Sequence, residues 1–101
     1  MKAHCYRITV QSLAQDAGLS FDVEQHDDLL RIVERVRSSG AFDADAAALA
    51  VGAKLLTGVM LRHRRDPLFA GLQPAMRTFI GNLKARVDGG ESAAKLPEDM
   101  P

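Results

Sequence analysis

The chain has one cysteine, no tryptophan, five aromatic residues of other kinds, and no surplus of charge of either sign, 13 basic side chains standing against 13 acidic ones in 101 residues. The single Cys5 excludes an intramolecular disulfide and makes a reducing compartment the simplest setting. Zero formal net charge argues against a dedicated nucleic-acid binder, since such domains concentrate uncompensated Lys and Arg to displace counterions from phosphates. It also predicts weak steering of charged partners. No Gly-rich phosphate loop, dinucleotide fingerprint, nucleophile elbow or His-Glu-x-x-His pair occurs. The longest apolar stretch, Ala46 to Leu61, is interrupted by Lys54, Thr57 and two glycines and falls short of the roughly 18 to 20 uncharged residues that a bilayer requires, so it reads as a buried helix. Strand pattern begins almost at Met1 with no charged leader and apolar core before it, and the expected localisation is cytoplasmic.

The composition, 47% hydrophobic and 26% charged, is that of one globular domain. Its signal begins at His4-Cys5-Tyr6-Arg7-Ile8-Thr9-Val10, where polar and apolar residues alternate, and is answered by Leu19-Ser20-Phe21-Asp22-Val23-Glu24. A period of two places Tyr6, Ile8 and Val10 on one face and Leu19, Phe21 and Val23 on the matching face of a hairpin, so these six are expected to form one wall of the core. Setting Ile8 opposite Val23 and Val10 opposite Phe21 also sets Arg7 opposite Glu24 and Thr9 opposite Asp22, and would make Cys5 and His26 cross-strand neighbours. Ala14-Gln15-Asp16-Ala17-Gly18 supplies the turn.

Beyond Val23 the period becomes helical. Leu29, Ile32, Val33 and Val36 form one stripe, entered at Asp27-Asp28 and stopped at Gly40, with both aspartates placed to pair with Arg31. Asp43 is expected to cap a long helix running to about Arg65, where Asp66-Pro67 ends it. Its apolar residues Leu49, Ala53, Leu56 and Met60, with Val51, Leu55 and Val59, cover so much of the circumference that it should be central. Gly52 and Gly58 predict close backbone approaches there. Pro67 suits a short helical segment through Leu72, and Pro74 begins another helix with Met76, Phe79, Ile80, Leu83 and Val87 on one face, stopped by Gly89-Gly90. Residues 1–90 therefore form one α+β domain, an N-terminal antiparallel β-hairpin followed by three main α-helices packed on one face, and residues 91–101 are expected to be a disordered tail.

Few side chains suggest chemistry. A Cys5–His26 contact could lower a thiol pKa, but no third residue orients the imidazole and no oxyanion hole is evident. His4, Cys5, His26 and His63 lack the close spacing of zinc ligands, so no catalytic, cofactor or metal residue is assigned. Lys54 reads as a surface lysine whose stem crosses apolar neighbours. Arg62-His63-Arg64-Arg65 is the one dense basic cluster. Charge capping of a helix C-terminus accounts for it, and the alternative is an anion or nucleic-acid contact through Arg62, Arg64 and Arg65.

The Met1-Lys2-Ala3-His4-Cys5-Tyr6-Arg7-Ile8-Thr9-Val10 start, the His26-Asp27-Asp28-Leu29 helix entry, the Val59-Met60-Leu61 segment and the Asp66-Pro67-Leu68-Phe69 turn resemble a family of small bacterial proteins, the domain of unknown function numbered three-eight-six-one. The resemblance runs from about Met1 to Leu83 and implies a bacterial cytoplasmic setting and an α+β fold, with no activity or cofactor to carry over. A non-enzymatic interaction module, homodimeric or binding a protein partner, is the expected function. An enzyme or metal protein using Cys5, His26 or His63 is the remaining alternative.

Overall fold

The computed structural model describes residues 3–89. Two antiparallel strands, β1 (His4–Gln11) and β2 (Gly18–Gln25), lead into α1 (Leu29–Ser39), α2 (Ala46–Arg62) and α3 (Leu72–Asp88), with short 3-10 turns at Asp43–Asp45 and Pro67–Phe69. This is the expected α+β order. The predicted tail at 91–101 lies outside the described residues.

The hairpin keeps the expected faces but not the expected register. Tyr6 pairs with Val23, Ile8 with Phe21 and Val10 with Leu19, which places Arg7 opposite Asp22, Thr9 opposite Ser20 and Cys5 opposite Glu24. A slip of two residues preserves which side chains share a face, so alternation alone cannot distinguish the two alignments. The turn decides between them. Ser12 Oγ accepts hydrogen bonds from the amides of Ala14 and Gln15, and the Ser12 amide donates to the Ala17 carbonyl, lifting Leu13 out of the strand. Gly18 lies so close to β1 that a Cβ there would sit 2.7 Å from the Val10 carbonyl oxygen. On the polar face Arg7 donates to both oxygens of Asp22, and the Thr9 and Ser20 hydroxyls are 2.9 Å apart.

Asp28 caps α1 by accepting from the Arg31 amide, and Gly40 closes it in the left-handed region at φ 73°. Tyr6 joins strand to helix: its hydroxyl accepts from the Leu29 amide at 2.9 Å and donates to Asp28 at 3.2 Å. The expected Asp27–Arg31 pair is replaced by a tertiary one, Asp27 Oδ2 meeting Lys54 Nζ at 2.6 Å. Lys54, half-buried on α2, thereby has a defined partner.

Ala46, Ala50 and Val36 form the centre of the core, with Ile32, Val33, Phe42 and Val87 packed against it. Leu29, Ala53 and Met60 are also buried. Small residues on α2 allow α1 to approach closely, as ridge-in-groove packing requires. By length and composition alone, the run Asp43–Arg62 would also suffice for a membrane span, contrary to the estimate from interrupted apolar residues. In this fold one side of that run is covered by α1, and Lys54 on it is ion-paired.

Both ends of the long helix differ from expectation. Asp43 does not cap it but takes φ 50° in the preceding 3-10 turn. The helix ends at Arg62 rather than Arg65, because the chain closes a separate turn in which the Asp66 amide donates to the His63 carbonyl; Asp66 itself is extended before Pro67 and caps the following turn through the Leu68 amide. The expected backbone approaches are not found: Gly58 lies against the Gln25 side chain, and among the described residues no atom lies within 4 Å of a Cβ at Gly52. Pro74 falls within the first turn of α3, which starts at Leu72.

The expected six-residue core wall is only half realised. Tyr6, Ile8 and Val23 are half-buried, but Val10, Leu19 and Phe21 remain 56%, 59% and 42% exposed, and Leu13 at the tip is fully exposed. The hairpin docks through its base, where its last strand meets α1 and α2, and its distal half extends beyond the helices.

Candidate functional site

Cys5 and His26 are not paired. Cys5 is exposed on the polar face opposite Glu24, and His26 follows the end of β2. His4 stacks on Tyr6 with ring centroids 6.4 Å apart. Among the described residues no group of three His, Cys, Asp or Glu side chains converges as a metal site would require.

The basic cluster divides at the helix end. Arg62 lies in the last turn of α2, His63 terminates it with its amide bonded to the Val59 and Met60 carbonyls, and Arg64 and Arg65 follow in the turn. Helix-dipole compensation thus accounts for Arg62 and not directly for the other two arginines. All three are exposed and none is ion-paired among the described residues. Together with His26, His63 and Asp66 they border a shallow concavity.

Two deeper grooves flank α2, and the sequence reading identified neither. The first, about 440 Å³ between α1, α2 and α3, has a floor of Ile32, Val36, Ala50, Ala53 and Val87. Its rim mixes both signs: Lys54 pairs with Asp27, Arg35 pairs with Asp88, and Asp28 lies among them with Arg31 and Lys84. The Lys54 hydrogen bond holds the Asp27 carboxyl below the usual carboxylate range, with partial burial acting in the opposite direction. The second groove, about 520 Å³ between α2 and α3, has Met60, Leu61, Met76 and Ile80 as its apolar surface and Arg64, Arg77 and Lys84 around it, with no carboxylate in its lining. Its signal was present as two helical stripes, but their relative placement depends on how α3 returns after the Pro67 turn.

Gln25 is the other residue that the sequence reading missed. Only 6% exposed at the junction of β2 and α2, it carries a buried side-chain nitrogen that no group among the described residues accepts from, above Gly58. It lines a cavity of about 280 Å³ with His26, Asp27, Lys54, Thr57 and Arg62. Strand alternation places Gln25 at the end of a polar run, with no sign in the sequence that helix packing covers it.

A family model described as a domain of unknown function with a solved structure, DUF3861, matches residues 4–85, and the chain belongs to this family. Among solved structures it is similar to a protein of unknown function from Pectobacterium atrosepticum SCRI1043, with 35% sequence identity, a TM-score of 0.77, and coverage of 82% of this chain and 98% of the other. No curated protein matches it. The family expected from the residues at the chain start, helix entry and Asp66-Pro67 turn is thus the family found, and neither the family nor its solved member is assigned an activity.

Proposed function

We propose that this member of DUF3861 is a non-enzymatic interaction module that self-associates through the apolar face of its hairpin. The observation that carries this reading is the contrast between the two faces of one ribbon. The polar face satisfies itself through Arg7–Asp22 and Thr9–Ser20, while Val10, Leu19 and Phe21 on the other face stay in water. Contiguous exposed apolar patches of this kind characterise association surfaces. A second copy fits the chemistry well: the patch carries no carboxylate, lysine or arginine, so two copies can meet face to face without like-charge repulsion, and the net charge of the whole chain is zero. Among the described residues the two-stranded sheet also leaves both outer strand edges without a further strand, open to edge pairing. The test is light scattering and sedimentation across micromolar concentrations. A dimer is expected for the native chain and a monomer for Phe21→Asp, whose helices remain folded by circular dichroism. A native chain that is monomeric at high micromolar concentration overturns the proposal.

A second reading has its own support. Arg64 and Arg65 project from a turn rather than a helix end, and with Arg62 they border a concavity that includes His26 and His63. An anion contact there predicts salt-sensitive binding of a phosphate-bearing probe such as heparin, lost when the three arginines are replaced by alanine. No retention on heparin at low ionic strength removes it.

A further inference from the structure

The two grooves beside α2 both have apolar floors and differ in the charges that line them. On the α1 side Arg31, Arg35, Lys54 and Lys84 are mixed with Asp27, Asp28 and Asp88, and two of the aspartates are in ion pairs. On the α3 side Arg64, Arg77 and Lys84 surround Met60, Met76 and Ile80, and among the described residues no acidic side chain lines the groove, although Lys84 borders both grooves and also acts on Asp27. A protein of zero net charge has thus gathered basic side chains around an apolar trough that no carboxylate lines. We propose that the groove between α2 and α3 receives an acidic amphipathic helix of a protein partner, its apolar stripe on Leu61, Met76 and Ile80 above the buried Met60 and its carboxylates against Arg64, Arg77 and Lys84.

Three features of the groove select this occupant. From Gln73 to Lys84 it follows α3 for 12 residues, about 16 Å at 1.5 Å rise per residue, which accommodates anchors at i, i+4 and i+7 of a docked helix. Two methionines in its floor supply the flexible, polarisable contacts found where helices of different sequence must be accepted. The charges lie along the rim rather than at one end, so they match a helix carrying acids along both edges of its apolar stripe better than a ligand with a single anionic head. All three basic residues are exposed, and none forms an ion pair among the described residues, so no native pair must break on binding. The inference is independent of self-association, because Val10, Leu19 and Phe21 on the hairpin do not line this groove.

The experiment uses the full chain and a fluorescein-labelled 16-residue peptide with leucines at helical spacing and glutamates on the flanking positions. Anisotropy measures affinity, and the methyl resonances of Met60 and Met76 report location. Saturable binding is expected, with both methyl signals shifted and affinity falling as salt is raised. Arg64→Glu with Arg77→Glu should weaken binding at least about tenfold, since truncating or reversing interfacial charges commonly costs that much. Phe21→Asp should leave the affinity unchanged, which separates this site from the hairpin surface. The proposal is overturned by any of these results: absence of saturable binding, equal binding of a twin peptide with lysines for glutamates, unchanged affinity in the double variant, unshifted Met60 and Met76, or binding of dodecanoate or of anionic phospholipid vesicles where the acidic peptide does not bind.

Discussion

The base of the hairpin and its distal half have the same alternation and opposite environments. At the base, Tyr6 is hydrogen-bonded to the start of α1, Val23 is half-buried and Gln25 is enclosed against Gly58 of α2. Toward the turn, Val10, Leu19 and Phe21 repeat the same pattern and meet no comparable cover. The difference teaches that an amphipathic ribbon marks a surface destined for burial without specifying what buries it. The helical layer covers part of the ribbon, and the rest is the reason for proposing a second copy.

The largest effect should come from the closed region. Leu29→Ala removes a side chain that is buried where strand, turn and helix join, and should lower unfolding free energy by about 2 to 5 kcal/mol, measured by urea denaturation. Phe21→Asp at the open end should leave monomer stability nearly unchanged at high dilution while removing self-association. Comparable destabilisation of the dilute monomer by both variants would break the distinction between the two regions.

A smaller effect is expected at the end of α1. Gly40 holds φ 73° with open space around the position of a Cβ, so Gly40→Ala introduces backbone strain without a steric clash. It should cost about 1 to 2 kcal/mol, the penalty of the left-handed region for an L-residue. Substitution at Gly52, which has no positive φ, should not carry this penalty and sharpens the measurement.

The smallest effect is pH-dependent and tests the Asp27–Lys54 link between the hairpin exit and α2. Because the folded-state pKa of Asp27 is lowered, chiefly by the Lys54 hydrogen bond, its contribution is present above the unfolded carboxylate value of about 4. It is lost as pH falls through the lower folded-state value. The pair is partly exposed, so solvent screening keeps the contribution below about 1 kcal/mol. Asp27→Asn should lower the urea midpoint slightly at pH 7, and the gap from the native chain should narrow as pH is lowered below about 4. A gap that stays constant through that descent would show that the substitution acts through packing.

Much of the fold was legible because local patterns carry it. Alternation at Tyr6, Ile8 and Val10 marked the ribbon face, Asp28 and Gly40 marked the limits of the first helix, and the apolar run after Ala46 marked the long helix but not its burial, since Leu56, Val59 and Leu61 on it stay exposed. The strand register was not legible, since a two-residue slip leaves every side chain on its original face. The end of the second helix was also missed: a proline disfavours helical angles at the residue before it, but the turn from His63 to Asp66 is stabilised by its own hydrogen bonds. Of the candidate site, the basic cluster was visible as consecutive residues. Its partners Arg77 and Lys84 were not, because they come from another helix.

By itself, the sequence determined which residues prefer water, where helices begin and stop, and which ribbon face is apolar, all consequences of chemistry within a few neighbouring residues. Tertiary structure alone decided that Asp27 meets Lys54 instead of Arg31, that Gln25 is enclosed, and that aspartates line one groove beside α2 while basic side chains alone supply the charge of the other. Such pairings depend on the relative positions of elements distant in the chain, and those positions follow from which apolar surfaces pack together, a choice that no local pattern encodes.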